Sequence, residues 1–313
     1  MHNSHFQWVI GADGKKIFLR IWDKVDQPRG VVQIFHGMAE HSKRYDEFAH
    51  FLNSQGFIVY ADDHRGHGYS CAEGEVLGYI GEDGFNHIVL DEKKISDLIK
   101  EKYTELPLYI FSHSFGSFIG QEYIIRYSQN IDGIILSGSA KQDGLDVKAA
   151  RVLASIQNKL FPSQAEATLI DRLSFGSFNN HIENHQTKFD WLNRDQQEVE
   201  KYIEDDFCGF VSPINFYYHL FNGFKGLYQS DRLAAISKDL PILVVSGDKD
   251  PVGKYGESVK ALYQQYQDLG IKNTTLKLFQ NGRHELVSET NKEEFFQYIS
   301  NWLLNETTNP SHK

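Results

Sequence analysis

The segment SHSFG at residues 112–116 places a serine, Ser114, between two small residues, directly after the apolar run 108–111. A serine at the apex of a tight turn between a strand and a helix exposes its hydroxyl above the sheet, at the N-terminus of the helix. Small side chains two positions before and after it let the strand and the helix approach closely. Ser112 and Ser117 are weaker candidates because neither occupies the apex. We therefore predict that Ser114 is a nucleophile.

A serine hydroxyl becomes a useful nucleophile only when a base takes its proton and an acid orients that base. Two later apolar runs are each followed by groups of this kind, SGDKD at 246–250 and NGRHE at 281–285. We predict that His284 is the base, because it lies between the last predicted strand and the last predicted helix. Asp250 is the preferred acid, and Asp248 is the alternative.

Acyl transfer also requires hydrogen-bond donors directed at the oxyanion that forms on the substrate. The backbone N–H of Phe115, the residue after the nucleophile, is one predicted donor. The other is predicted to be the backbone N–H of Met38, in the loop HGMAEH at 36–41. Because the donors are backbone groups, the two side chains are expected to form apolar walls of an acyl pocket. His36 is interpreted as a structural hydrogen-bonding residue.

The loop DDHRGHGYS at 62–70 contains side chains that also occur in metal sites. A metal would require these residues to converge with carboxylates from elsewhere, and the sequence shows nothing comparable at ligand spacing. Two glycines favour a loop with demanding backbone angles, and the loop lacks the fingerprint of a phosphate-binding turn. We therefore predict neither a metal nor another cofactor.

Short apolar runs and helical periodicities alternate along most of the chain and predict the elements that must position these residues. An Asp-Gly turn within residues 6–22 predicts a β-hairpin. The alternation that follows indicates βαβ units, and hence a mostly parallel sheet with helices on both faces. With the chain order serine, aspartate, histidine, it predicts the α/β-hydrolase fold. Further strands are predicted at 31–35, 57–60, 108–111, 131–137, 241–246 and 274–279, and helices at 45–52, 85–103, 115–127, 253–269 and 293–304.

The alternation stops within residues 140–235, where helix-like and loop-like sequence is rich in aromatic residues. This segment interrupts the sheet between its sixth and seventh predicted strands. We interpret it as a helical cap inserted over the carboxyl edge of the sheet, where open α/β sheets bind ligands. The predicted organisation is a hydrolase core at 1–139 and 236–313, with the cap between its two parts. Cap residues expected to shield an acyl chain from water are Phe175, Phe178, Phe216, Tyr217 and Phe221.

The composition argues against several classes of function. The 313 residues are 41% hydrophobic and 24% charged, as in globular proteins that bury a full core. A formal net charge of -10 and the lack of any lysine- and arginine-rich run argue against nucleic acid as a partner. The two cysteines, Cys71 and Cys208, are predicted to be free thiols in a reducing compartment. The first ten residues do not resemble a signal peptide, and no apolar run is long enough to span a membrane. We therefore expect a cytoplasmic protein.

Several of these segments together resemble the monoacylglycerol lipase family. HGMAEHSKRY at 36–45 is similar to the oxyanion-loop signature of that family, DHRGHGYS at 63–70 to its next signature, and SHSFG to its serine turn. Within the predicted cap, FDWLNRD at 189–195 and DDFCGF at 205–210 resemble bacterial members known as lysophospholipases or monoacylglycerol lipases. The resemblance extends over essentially the whole chain.

Two positions depart from the family pattern. Ser112 stands where glycine is usual, and this exchange of one small residue for another should be tolerated. Phe115 stands where methionine is common, and its bulky ring beside the nucleophile bears on the preferred acyl length. By the resemblance, the family's triad and oxyanion donors correspond here to Ser114, Asp250 and His284, and to Met38 and Phe115.

These observations predict a serine hydrolase that cleaves carboxylic esters in two steps through an acyl-enzyme. The resemblance implies a small-molecule acyl ester as the substrate, either a monoacylglycerol, a lysophospholipid or a shorter ester. The cap is expected to make transient contact with a membrane surface.

Three alternatives use the same scaffold, because a fold does not determine a function. An aminopeptidase or amidase would bind a substrate amine through acidic cap residues, for which Glu183, Glu198 and Glu204 are candidates. A non-catalytic ligand receptor is expected to lack a member of the triad, and here all three are present. An epoxide hydrolase or dehalogenase would carry aspartate at the apex of the turn, where this chain has Ser114.

Overall fold

An eight-stranded sheet organises the computed structural model, which describes residues 4–308. The first three residues of the N-terminal stretch considered above, and the last five of the chain, lie outside the described residues. The strands are β1 (His5–Ile10), β2 (Lys16–Trp22), β3 (Gly30–Phe35), β4 (Phe57–Asp63), β5 (Leu108–His113), β6 (Gly133–Ser137), β7 (Ile242–Gly247) and β8 (Thr274–Phe279). The helices are α1 (Asp46–Ser54), α2 (Gly84–Lys102), α3 (Phe115–Tyr127), α4 (Leu145–Leu160), α5 (Thr168–Phe175), α6 (Gln196–Glu204), α7 (Ile214–Leu227), α8 (Ser230–Leu233), α9 (Glu257–Asp268) and α10 (Lys292–Thr308).

The strand order is β1-β2-β4-β3-β5-β6-β7-β8. The hairpin β1–β2 is antiparallel, β2 pairs antiparallel with β4, and the remaining neighbours are parallel. The mostly parallel α/β fold predicted from the sequence is therefore confirmed. Because β4 and β5 lie on opposite sides of β3, the strand order reverses there. Such a reversal opens a crevice at the carboxyl ends of the strands.

Central strands are buried on both faces, which explains why they are continuous apolar runs rather than alternating ones. Every residue of β3, β4, β5 and β7 is buried. In β3, Val31 and Phe35 pack in one helical layer, and Val32 and Ile34 pack in the other. Helices α2, α3 and α9 contribute to the first layer, and α1 and α10 to the second.

The chain between β6 and β7 contains the five helices α4 to α8. Helix α7 packs against α2, α3 and α4, and most of its residues are buried. Helices α4 and α5 are different, because Ala154 and Ile170 are their only fully buried residues. Among residues 4–308, no helix has the length and apolar character needed to cross a bilayer.

Two predicted elements begin at least two residues later than expected. Helix α9 begins at Glu257 rather than at residue 253, because Lys254, Tyr255 and Gly256 have φ angles of 50°, 56° and 91°. These angles lie in the left-handed region and interrupt a right-handed helix. Strand β6 begins at Gly133 rather than at residue 131, and its pairing with β5 starts there. The loop before α9 is the one that carries Asp250.

Candidate active site

The serine turn connects β5 to α3 with a strained backbone. Ser114 has φ 52° and ψ -119°, angles that few residues other than glycine adopt. Its N–H donates to the carbonyl of Ser137 at the end of β6, over 2.9 Å. A Cβ atom on Gly116 would lie 2.3 Å from the carbonyl oxygen of Phe35, so only glycine allows α3 to begin this close to β3. Strain of this kind persists where surrounding contacts enforce it, and it is concentrated at functional sites.

The two alternative serines are directed into the protein. The Ser112 hydroxyl donates to the carbonyl of Ile135 over 2.8 Å, and the Ser117 hydroxyl donates to the carbonyl of Ser114 over 2.6 Å. Both side chains are completely buried. The hydrogen bond to β6 explains why a serine fits at position 112, where the family usually has glycine.

The structure brings Ser114, His284 and Asp250 together. The Ser114 Oγ atom lies 2.8 Å from Nε2 of His284, and Nδ1 of the same ring lies 2.9 Å from Oδ2 of Asp250. Asp250 also accepts hydrogen bonds from the N–H of Val252 (2.9 Å) and from the hydroxyl of Ser246 (3.1 Å). An acid, a base and a hydroxyl in this relation can activate the hydroxyl as a nucleophile.

Asp248, the alternative acid, takes no part in this chain of contacts. Its backbone N–H bonds to the carbonyl of Phe279, and its side chain is only partly buried. Asp250 lies two residues farther on, where its N–H bonds to the carbonyl of Gly247, and its side chain is completely buried. The position in the turn therefore separates two aspartates that are nearly equivalent in sequence.

Opposite charges polarise the pair formed by His284 and Asp250. Burial by itself would lower the pKa of His284, but the Asp250 carboxylate raises it above the ordinary value of 6.5. Burial would raise the pKa of Asp250, but the facing imidazole and the hydrogen bonds to the carboxylate hold it below its ordinary value. The site therefore favours a charged carboxylate that stabilises the imidazolium, which is what proton transfer from Ser114 would create.

The loop after β3 approaches the serine turn closely. A Cβ atom on Gly37 would lie 3.3 Å from Cβ of Ser114, and Ala39 has a φ of 52°. Met38 and Phe115 both line the same cavity as Ser114. Phe115 is the first residue of α3, and the first N–H groups of a helix have no partner within it. The residues that carry the two predicted oxyanion donors therefore border the same cavity as the serine.

His36 has a structural environment, as interpreted from the sequence. Its Nε2 atom accepts a hydrogen bond from the N–H of His64 over 2.8 Å, and its Nδ1 atom lies 2.7 Å from the carbonyl oxygen of Gly37. Burial lowers the pKa of His36 well below its ordinary value, which keeps the ring neutral. The ring thus connects the loop after β3 with the loop after β4.

One expectation about the 62–70 loop is wrong: a carboxylate from elsewhere does converge on it. Glu92 of α2 places Oε1 3.0 Å from Nδ1 of His64, and Asp62 places Oδ2 3.1 Å from the same nitrogen. Gln33 donates to the second oxygen of Glu92 over 2.6 Å. The sequence could not reveal Glu92 as a partner of His64, because Glu92 lies in a separate element, within α2. The contacts are those of a buried ion pair, in which the carboxylates outweigh burial and raise the pKa of His64.

A cavity of about 830 Å³ opens from the serine into the helical segment between β6 and β7. Of the aromatic residues predicted to shield an acyl chain, Phe216 instead packs behind Phe115, with the ring centroids 4.9 Å apart. The acidic residues considered for amine binding do not line the cavity, and Glu198 pairs with Lys201 over 2.6 Å. The predicted aromatic residues that do line it are Phe175, Phe178, Tyr217 and Phe221.

Sequence reasoning assigned no role to Trp191, whose ring centroid lies 5.1 Å from that of His284. The segment around it is bound to the histidine loop by hydrogen bonds. Arg283 donates to the carbonyl of Asp190 over 2.6 Å, and the N–H of Glu285 donates to the carbonyl of Leu192 over 2.9 Å. The sequence signal for Trp191 is the FDWLNRD segment at 189–195, which resembles bacterial members of the family but indicates no role for the tryptophan. The segment between β6 and β7 therefore contributes directly to the surroundings of His284.

Comparisons with known proteins agree with this geometry. A family model described as Hydrolase_4 (Serine aminopeptidase, S33) matches residues 26–291. The monoacylglycerol lipase of Mycolicibacterium smegmatis is 28% identical over 300 residues, which cover 94% of this chain and 95% of that protein. The monoglyceride lipase of Mus musculus is 26% identical, over 90% of this chain and 84% of that protein.

A solved structure shares the architecture closely. The thermostable carboxyl esterase of Bacillus coagulans, in complex with glycerol, superposes with a TM-score of 0.89 at 27% identity. The match covers 98% of this chain and 100% of that one. The α/β-hydrolase fold and the resemblance to monoacylglycerol lipases, both inferred from motifs, are thereby confirmed.

Proposed function

Because this chain belongs to the Hydrolase_4 family, described as serine aminopeptidase S33, we propose that it cleaves carboxylic esters through an acyl-enzyme on Ser114. The observation that carries this proposal is the continuous contact from Ser114 through His284 to Asp250, at 2.8 Å and 2.9 Å. Relatives that are themselves lipases and an esterase support the ester as the bond that is cleaved.

The reaction has two halves. Nε2 of His284 takes the proton of Ser114 as the serine oxygen attacks the ester carbonyl, and the N–H groups of Met38 and Phe115 bind the oxyanion. The tetrahedral intermediate collapses when His284 gives that proton to the leaving alcohol. Water then attacks the acyl-enzyme with the same histidine as base, and the carboxylic acid is released. Asp250 keeps the ring in the required tautomer and stabilises the imidazolium in both halves.

The substrate class we propose is a single-chain acyl ester, either a monoacylglycerol, a lysophospholipid or a shorter ester. Aromatic and aliphatic side chains form much of the cavity wall, including Phe175, Leu153, Leu220 and Phe224. Such a wall binds an acyl chain by removing it from water, at about 0.8 kcal/mol for each methylene. Phe115 stands beside the nucleophile, where it would contact the first carbons of the chain.

We further propose that residues 140–235 act as a cap that contacts membrane surfaces while the protein itself stays in the cytoplasm. Four apolar side chains of α4 share one side of the helix, at spacings of seven, four and four residues. They are between 48% and 81% exposed. An apolar stripe of this kind can enter the boundary between lipid headgroups and acyl chains. The stripe consists of Leu145, Val152, Ile156 and Leu160.

The proposed cytoplasmic location is supported by the two cysteines, Cys71 and Cys208. Both are free thiols, which fits a reducing compartment.

The test combines labelling with a substrate panel. A fluorophosphonate probe should label the native protein, and Ser114→Ala should abolish both the labelling and the hydrolysis of p-nitrophenyl esters. Ser112→Ala is the matched control, because it removes a buried hydroxyl two residues away and should leave the activity within a fewfold. A Ser114→Ala protein that keeps most of its activity would overturn the proposal. In the native protein, rates of hydrolysis for esters from p-nitrophenyl acetate to monoacylglycerols and lysophospholipids would define the substrate.

A second candidate is an aminopeptidase, which the description of the family model favours. Asp171 lines the cavity and accepts a hydrogen bond from the Tyr217 hydroxyl over 2.9 Å, so an acidic group is available there for a substrate amine. A matched pair of substrates, an aminoacyl p-nitroanilide and the corresponding ester, distinguishes the two functions. Amidase activity that exceeds the esterase activity, and that Asp171→Asn abolishes, would favour the peptidase.

A further inference from the structure

Three charged residues, a partly exposed arginine and two buried glutamates, join the loop after β3 to the loop that carries His284. Arg44 donates from one nitrogen to Oε2 of Glu40 (2.7 Å) and to Oε1 of Glu285 (2.7 Å), and from another to Oε2 of Glu285 (2.8 Å). Glu40 and Glu285 are 3% and 4% exposed, and both line the cavity. We name this set the Glu40–Arg44–Glu285 network. It carries one net negative charge beside the active site.

At one end, the network holds the loop that bears Met38. Oε1 of Glu40 accepts hydrogen bonds from the N–H of Gly37 (2.5 Å) and from the hydroxyl of Tyr45 (2.8 Å). Burial and the Glu40 carboxylate raise the pKa of Tyr45 well above its ordinary value, so the phenol remains a donor. The carboxylate thus fixes the His36–Gly37 peptide, which lies one peptide before the N–H of Met38.

At the other end, the network holds the loop that bears the base. Glu285 directly follows His284, and its N–H donates to the carbonyl of Leu192 over 2.9 Å. Burial would raise the pKa of Glu285, but the Arg44 guanidinium holds it below its ordinary value. The ring of Tyr202 packs over the same guanidinium, with the central carbon 4.8 Å from the ring centroid. Arg44 is therefore itself fixed between two carboxylates and an aromatic face.

We propose that Glu40, Arg44 and Glu285 are positioning residues that set the relation between the oxyanion-binding loop and His284. Without the guanidinium, two buried carboxylates would repel each other across the site. Without the Glu40 carboxylate, the N–H of Gly37, one residue before Met38, would lose the acceptor that fixes it. The inference rests on the proposed function, because it assigns these residues to the same reaction.

A purely structural role is the competing explanation, since breaking any buried ion pair destabilises a protein. The chain offers a matched control in the pair formed by Glu122 and Arg232. Glu122 is 2% exposed, and Arg232 donates to its two oxygens over 3.0 Å and 2.5 Å. This pair connects α3 to α8 and does not line the cavity.

The first experiment measures kcat, KM and melting temperature for Glu40→Ala, Arg44→Met and the control Arg232→Met, with p-nitrophenyl butyrate. The two network variants should lower kcat by about 10² to 10³, as loss of an oxyanion donor does, with KM within threefold. Glu40→Gln keeps an oxygen acceptor and should restore kcat to within tenfold of the native value. Arg232→Met should lower the melting temperature while leaving kcat within threefold. Equal losses of kcat in Arg44→Met and Arg232→Met, or an unchanged kcat in Glu40→Ala, would overturn the inference.

The second experiment changes the net charge of the network and measures the pH dependence of kcat/KM. The position of a pH profile stays informative even if a variant folds poorly. Glu285→Gln makes the network neutral and should move the acid limb of kcat/KM to lower pH by about half to one unit. Arg44→Lys keeps the charge and should leave the limb in place. Arg44→Met makes the network more negative and should move the limb to higher pH. If the acid limb of Glu285→Gln stays within about 0.2 pH units of the native limb, the inference is contradicted. The titratable and charged side chains around His284 are Asp250, His113, Glu40, Arg44 and Glu285.

The outcomes separate this inference from the function on which it rests. If the native protein neither reacts with a fluorophosphonate nor hydrolyses any ester, the proposed function fails. If the native protein is active and Ser114→Ala is not, while the network variants behave like Arg232→Met, the function stands and only the positioning role fails.

Discussion

The loops at the carboxyl edge of the sheet and the outer helices of the proposed cap hold their side chains in different ways. Asp250 is completely buried and hydrogen-bonded on both carboxylate oxygens, and His284 is fixed between that carboxylate and Ser114. In α4 and α5, by contrast, Ala154 and Ile170 are the only fully buried residues. One region is organised by hydrogen bonds at fixed distances, and the other by partial apolar contact.

This difference indicates that the two regions serve different steps, the loops the chemical step and the outer helices the binding of substrate. Proton transfer depends on distances held to a fraction of an ångström, and the proposed reacting groups stand on short loops that follow buried strands. Binding an acyl chain depends on area removed from water, which tolerates variation in the wall. Elements with few buried apolar contacts open at low free-energy cost, and such elements often admit substrates. We therefore expect chemistry and substrate preference to respond to separate sets of substitutions.

The largest expected effect that tests this division is at Asp250. Asp250→Asn should lower kcat by about 10⁴-fold, because the amide N–H would favour the His284 tautomer that cannot accept the serine proton. Steady-state kinetics with p-nitrophenyl butyrate measure the loss. Asp248→Asn is the control and should keep kcat within threefold. A larger loss in Asp248→Asn than in Asp250→Asn would reverse the assignment of the acid.

A smaller effect is expected in the cavity wall. Ala150 of α4 lines the cavity, and Ala150→Phe would occupy the space of about three methylenes. At about 0.8 kcal/mol for each methylene, kcat/KM for a long-chain ester should fall by roughly fiftyfold. Hydrolysis of p-nitrophenyl acetate should be unchanged. Ile156→Phe, on the outer side of the same helix, should alter neither rate. Equal losses for short and long esters would show that the wall also affects the chemistry.

The apolar stripe on α4 should matter only for substrates held in a bilayer. Replacing Leu145, Val152, Ile156 and Leu160 with serine should lower hydrolysis of a monoacylglycerol in phosphatidylcholine vesicles by about tenfold, through weaker surface binding. Hydrolysis of a monomeric short ester should stay within twofold. A control variant with Phe6 and Trp8 of β1 replaced by serine removes apolar surface elsewhere, since both are about half exposed. A similar loss in that control would refute the proposal for the stripe.

The smallest effect concerns pH. The Asp250 carboxylate raises the pKa of His284 above 6.5, and the ring must be neutral to accept the serine proton. The value of kcat/KM should therefore increase as pH rises through a midpoint above 6.5. In Asp250→Asn the residual activity should show a lower midpoint, because burial then acts without the opposing charge. A native midpoint well below 6.5 would contradict the ion pair described here.

Much of this site could be predicted because its signals are local. A serine between small residues, directly after an apolar run, predicts a strand–turn–helix whatever the remainder of the chain does. The same holds for His284 after the last strand and for the glycine-containing loop after β3. Long-range contacts carried no such signal. Glu92 joins His64 from a different element, and Phe216 packs behind Phe115 rather than lining the cavity.

The amino-acid sequence by itself determined which residue types stand at the strand ends, the order in which they occur, and the interruption between the sixth and seventh strands. These features follow from periodicity and turn chemistry, which act over a few residues. Only the tertiary structure brought the preferred Asp250, and not Asp248, into contact with His284, placed Trp191 against that ring and joined Glu40 to Glu285 through Arg44. Ser114 and His284 are 170 residues apart in the chain. A hydrogen bond between them depends on how the whole sheet packs, and that arrangement is a property of all its strands together.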